Sequence, residues 1–284
     1  MDKIYQVFGQ LWLMESNAHR QFMATALQLL KSGGIVGLEQ SLGSTPITSY
    51  ATTPYLAHQW ELDDTSLPDQ SVAVIQMEGP LFSWETFRLE KLIARVEDNP
   101  RLVGLVLWIN GPGGMAQYVD VVARKIRECQ KPTATYVAGL MASAHFWLGT
   151  ATGRTFAASP LVTVGSVGTL GTYINYRKAY EAAGIDYRTI YPEQSDLKNR
   201  WFRDIDEKDD ETLVKAQLAK LDEAFCHDVA LQLGIDYDAK LPLFRGEEFY
   251  GDAAVTAGYI DQIGSLQDAV AWVLAQSTIR KIKS

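Results

Sequence analysis

Three β-rich runs, at 71–77 (SVAVIQM), 103–110 (VGLVLWIN) and 133–139 (TATYVAG), alternate with segments of helical periodicity at 84–99 and 115–129. A strand with one solvated face reads as apolar-polar alternation; the first two runs are apolar almost throughout, so both faces are covered. Buried strands joined by helices form crossover units, and successive crossovers build a mostly parallel sheet. The fold class is therefore α/β. The same reading predicts a helix over 142–151, a short helix near 174–183 and a strand at 187–191. A long helix over 208–233 would carry Leu213, Val214, Leu218, Leu221, Phe225 and Val229 on one stripe, and the tail reads as short helix, turn, helix.

Ahead of this core, residues 15–31 place Phe22, Met23, Ala26, Leu27 and Leu30 at helical spacing, with Ser16 or Asn17 as the N-cap. This helix packs on the body or on a neighbouring subunit. Residues 35–70 are rich in Ser, Thr, Pro and Asp and read as an extended connector. The expected division is an N-terminal helix and connector at 1–70, a main domain at 71–275 and a tail at 276–284.

A net charge of −8 supplies no basic stripe for phosphates, which argues against a nucleic-acid partner. The opening residues are interrupted by Gln6, Gln10 and Glu15, too polar for a leader or a membrane span, so stable membrane insertion is not expected and a cytoplasmic location is. Cys129 and Cys226 lie in helical segments without metal-ligand spacing and read as buried thiols, with no metal site.

Two stretches carry chemistry. In WINGPGGMAQYVD the turn Asn110–Gly114 follows a strand, and its adjacent glycines leave backbone N–H groups unshielded, which suits an anion or a developing oxyanion. The alternative is a tight turn that binds nothing. In GLMASAHFWLG, Ser143 starts a helix after a buried strand, where a serine caps the helix or acts as a nucleophile. Both stretches end predicted neighbouring strands, and carboxyl ends of parallel strands gather on one edge of the sheet. A serine nucleophile needs a base. His145 is two residues along, where helix side chains diverge; His19 and His58 lie in the N-terminal appendage, and His227 sits on the long helix. The remaining candidate is a lysine neutralised by burial.

INGPGG, GLMASAHFWLGTA, FAASPLVTVGSVGT and SDLKNRWF follow the order and spacing of the signal peptide peptidase A family, including its phage head maturation relatives, over about residues 71–275. The resemblance implies a Clp protease and crotonase type of fold, an ATP-independent serine endopeptidase without cofactors, and a homo-oligomer. Its substrate would be polypeptide, with phage or prophage capsid or scaffold protein as the implied target in the bacterial host cytoplasm. Carried over, Ser143 matches the nucleophile, Gly113 and Gly114 the oxyanion turn, and Lys198 the general base, with Lys178 and Lys208 close to it in sequence. Gly165, Ser166, Val167 and Gly168 match the segment beside the substrate groove, although glycines there also permit close strand packing. Ser166 as an alternative nucleophile lacks an oxyanion partner. The large Phe146 and Trp147 depart from the family's glycine-rich sequence after the nucleophile, and either pack or shape the groove. Two other readings remain: a crotonase-like acyl-CoA hydratase or isomerase, for which no carboxylate pair lies near the turn, and an inactive scaffold that binds peptides.

Overall fold

A computed structural model describes residues 11–32, 48–52, 57–59, 67–175, 177–182, 184–186 and 188–283. In chain order its elements are β1 (Leu11–Met14), α1 (Ser16–Ser32), β2 (Thr48–Thr52), β3 (Ala57–Gln59), β4 (Ser71–Glu78), α2 (Ser83–Asp98), β5 (Leu102–Gly111), β6 (Gly113–Met115) and α3 (Val119–Arg127). There follow β7 (Thr133–Ala142), α4 (Ala144–Thr150), β8 (Thr155–Ala157), β9 (Thr163–Gly165), β10 (Leu170–Gly171), α5 (Arg177–Ala182), α6 (Arg200–Lys208) and α7 (Thr212–Leu233). The chain closes with β11 (Glu248–Tyr250), α8 (Gly251–Thr256), β12 (Gln262–Ile263) and α9 (Leu266–Lys283).

The large sheet runs β11-β9-β7-β5-β4-β2-β3, with β8 beside the first half of β7 and β12 beside β8. Pairing is parallel from β4 through β5 and β7 to β8 and β9, and antiparallel only towards the edges. The expected α/β sheet is present. Its strands read as continuous apolar runs because both faces are covered. Along β4, Ala73, Ile75 and Met77 enter a core with α2, α3, α4 and α7, whereas Val72 and Val74 pack with Ala269, Val270 and Val273 of α9.

Several local expectations differ from the structure. The helix expected from residue 115 starts at Val119, because Gly113–Met115 is drawn into a strand. Residues 188–191 form no strand; Ile190 is exposed, and β-rich composition without a sheet partner does not make a strand. Tyr187 lies outside the described residues. The helix expected over 208–233 is present as α7 but starts at Thr212, because Asp209 takes a left-handed φ of 54° and closes the preceding α6 at Lys208. Its apolar stripe is buried only in the second half, at Phe225 and Val229, while Leu213 is exposed. Part of the supposed connector, Thr48–Thr52, pairs antiparallel with β4; residues 33–47, 53–56 and 60–66 lie outside the described residues. In the tail, β11 and β12 are additional strands. Helix α1 is capped by the Glu15 carboxylate, which accepts from the Asn17 and Ala18 N–H groups at 2.6 and 2.7 Å, rather than by Ser16 or Asn17.

Both cysteines are free and buried. Burial, reinforced by the Asp222 charge, pushes the Cys226 thiol up to about 12. Among the described residues no helix is long and apolar enough to cross a membrane, and no acidic, His and Cys cluster has metal-holding geometry.

Candidate active site

β5 and β7 are adjacent and parallel, with Gly111 opposite Met141, so their carboxyl ends bring the Pro112–Gly114 turn against Ser143. Ser143 has φ 56° and ψ −118°, a conformation L-residues rarely occupy. Such strain costs on the order of 1–3 kcal/mol and persists only where its surroundings enforce it. The enforcement is visible: the Ser143 N–H donates to the Gly165 carbonyl at 2.8 Å, and its own carbonyl accepts from the Trp147 N–H at 3.0 Å. Ser143 does not cap α4 with its side chain. The residue is 0 % exposed, and its Oγ has no hydrogen-bond partner among the described residues. A buried, unpaired hydroxyl costs stability, so capping does not account for it.

The glycine turn is fitted around that serine. A Cβ on Gly113, whose φ is +96°, would lie 2.1 Å from the Leu13 carbonyl oxygen, 2.9 Å from Ser143 Cβ and 3.0 Å from the Ala144 nitrogen. A Cβ on Gly114 would lie 1.8 Å from the Leu81 carbonyl oxygen. Neither position has room for a side chain. The two amides face differently. Gly113 N–H donates to His145 Nδ1 at 2.9 Å, so in this state it is engaged by the histidine. Gly114 N–H points from the β6 edge towards Leu13 of β1. Ala144, first in α4, has an N–H without an intrahelical acceptor; it is a donor that residue-by-residue comparison passed over, and its signal was only its place after the serine.

His145 is buried and its pKa falls to about 3 through desolvation, so the ring is neutral, and acceptance at Nδ1 puts the proton on Nε2. It braces the turn and does not hydrogen-bond Ser143 Oγ. Of the other histidines, His19 packs on Trp12 and His227 on Tyr237; the side chain of His58 lies outside the described residues. Phe146 and Trp147 pack: both are in the main core, Trp147 stacks on Phe225, and its Nε1–H donates to Asp228 Oδ2 at 2.6 Å.

The 165–168 segment lies beside the serine. Gly165 has φ +112° and its Cβ would lie 2.6 Å from the Glu247 carbonyl oxygen, so this glycine serves close packing, whereas Gly168 has ordinary space. Val167 is buried in the core. Ser166, at φ 54°, donates its N–H to the Glu247 carbonyl at 2.9 Å.

Lys198 is exposed, in the stretch between a 3-10 turn at Glu193–Ser195 and α6. With Ser143 Oγ unpartnered, its amine is not within hydrogen-bond distance of the serine in the single chain. Lys208 donates to Asp204 Oδ1 at 2.8 Å, and the side chain of Lys178 lies outside the described residues.

A buried, strained serine facing two glycines whose Cβ positions are filled is the geometry expected of acyl-transfer chemistry. The model of Peptidase family S49 matches residues 125–280, more than half of the chain. The chain belongs to Peptidase family S49. Its relatives include Capsid assembly protease C of Escherichia phage lambda, 25% identical over 282 residues, covering 92% of this chain and 62% of that protein. Another is Protease 4 of Haemophilus influenzae, 21% identical over 230 residues, covering 74% and 37%. A protein of Enterococcus faecium named for signal peptide peptidase SppA is 24% identical over 200 residues, covering 68% and 57%. The chain thus spans less than two thirds of the length of each. In this S49 chain the matched region holds Ser143, Gly165–Gly168 and Lys198, while the glycine turn lies just ahead of it.

Proposed function

We propose that this chain is an ATP-independent serine endopeptidase with Ser143 as nucleophile and Lys198 as general base, acting in phage or prophage capsid maturation. The observation that carries it is the strained, buried Ser143 with an unpaired Oγ against the Gly113–Gly114 turn. Neutral Lys198 takes the Ser143 proton, Oγ attacks the peptide carbonyl, and Lys198 returns the proton to the leaving amine. Gly114 and Ala144 N–H groups stabilise the tetrahedral oxyanion, while Gly113, held by His145, fixes the turn. Because Ser143 Oγ has no partner among the described residues and Lys198 is exposed, we assign the lysine to a neighbouring copy in a homo-oligomer. Burial at that contact would desolvate the amine and keep it neutral. The capsid role follows the name of the lambda relative, with capsid or scaffold polypeptide as substrate.

The test replaces Ser143→Ala and Lys198→Ala separately and follows cleavage of unfolded casein and of co-expressed capsid and scaffold proteins. Each variant is expected to lose cleavage by about 10³-fold or more. Wild-type rates from Ser143→Ala would refute the assignment of the nucleophile.

A further inference from the structure

β1 lies in a three-stranded sheet of order β10-β1-β6, antiparallel to both neighbours. Those neighbours are the strand made by the glycine turn and the strand that follows the 165–168 segment. They are the two rims between which an extended polypeptide would run past Ser143. Here the space is filled by the chain's own residues 11–14.

The register is that of a peptide presented to the serine. Glu15 N–H donates to the Pro112 carbonyl at 2.7 Å and Ala116 N–H to the Leu11 carbonyl at 3.2 Å. Antiparallel ladders alternate, so Leu13 and Gly114, opposite each other between those two bonds, are the hydrogen-bonded pair, and Gly114 N–H points at the Leu13 carbonyl. That carbonyl oxygen shares the Gly113 Cβ position with Ser143 Cβ and the Ala144 nitrogen, as given above. It stands where the oxygen of a peptide under attack would stand.

We propose that residues 11–15 are an intramolecular occupant of the substrate groove, so that the folded chain is latent and must lift β1 off β6 and β10 before polypeptide enters. The proposal rests on the peptidase reading. Ser143 is fully buried with β1 in place. The occupant is held by a core of its own: Trp12 packs on His19 and Phe22 of α1 with ring centroids at 5.4 and 5.2 Å, and Phe22 packs on Phe82 at 5.5 Å. Trp12, Met14, Phe22, Met23, Ala26, Phe82 and Met115 form a cluster separate from the main core, which β1 enters only through Leu13, so withdrawing that one side chain lets β1 and α1 leave together without opening the large sheet. Past the occupant's end, Glu248 of β11 is exposed, and desolvation first, then the Glu15 charge, raises its carboxyl pKa.

The decisive experiment locks the strand. Trp12 and Met115 are opposite each other in a non-hydrogen-bonded pair, whose short Cα separation suits a disulfide. The full-length W12C/M115C protein, oxidised, is expected to cleave unfolded casein about tenfold or more slowly than after reduction by dithiothreitol. Equal rates in both states overturn the latency proposal and leave the peptidase reading standing. No cleavage by wild type in any state tells against the peptidase reading itself. Because the double variant removes two core side chains, a second measurement uses Ser143→Ala and needs no catalysis. Amide hydrogen exchange at residues 11–15 is expected to rise with saturating unfolded casein, while β4 and β5 stay protected. Unchanged exchange at 11–15 under that saturation overturns the proposal as well.

Discussion

Ser143 is held in a rare backbone conformation with a buried hydroxyl that bonds to none of the described residues, and both features oppose folding. Ser143→Ala should therefore raise stability by about 1 kcal/mol or more while cleavage is lost, which denaturant titration beside a casein assay reads out. Gly113→Ala places a methyl group against the Leu13 carbonyl oxygen and Ser143 in a backbone that suits glycine; a loss of roughly 2 kcal/mol or more is expected from the same titration. His145 gives a pH signature. Its folded pKa is about 3 against 6.5 unfolded, so below pH 6.5 the unfolded chain binds a proton that the folded chain refuses. Stability is unaffected by this group above that value and falls as pH drops from 6.5 towards 3. His145→Asn, which keeps an acceptor for Gly113 N–H, should flatten that part of the Tm-against-pH curve. Part of this was legible beforehand. The serine and the two glycines stood out as candidates at the ends of neighbouring strands, their roles were implied by family resemblance, and spacing set His145 aside as base; the burial of Ser143 and the engagement of Gly113 by His145 depend on two strands closing around one point.

At the scale of elements, β4, β5 and β7 were readable because strands covered on both faces leave an apolar signature that composition alone carries. Four-residue β1 was not, since a strand that short is specified by the two edges it enters and not by its own pattern. The misplaced strand at 188–191 is the converse: the composition was present and the partner was missing. The large side chains after the serine have an account at this scale too. Trp147 ties α4 to α7 through Phe225 and Asp228, which also pairs with Arg127 at 2.7 Å. Trp147→Phe keeps the stacking surface and removes the donor, so a loss of about 1.5–3 kcal/mol is expected, measured by chemical denaturation. Cleavage per folded molecule should be unchanged, since Asp228 remains paired and α4 stays packed.

For the whole molecule, sequence resemblance supplied a lysine and the single chain leaves that lysine exposed; under the proposed dyad the unit of activity is larger than the unit of folding. Mixing Ser143→Ala with Lys198→Ala protein tests this directly: activity should reappear in the mixture, from sites that combine an intact serine with a neighbour's lysine. Silence of the mixture across concentrations that support assembly would return the dyad to one chain. The short sheet around β1 has a mechanical corollary. Its hydrogen bonds lie across the strand, so a pull on the N-terminal tail along the strand axis loads every rung together and is resisted by all of them. Lifting α1 instead opens the ladder from the Glu15 end, one rung at a time, like a zip. A partner that grips the helix would thus free the groove at far lower force than one that tugs on the terminus.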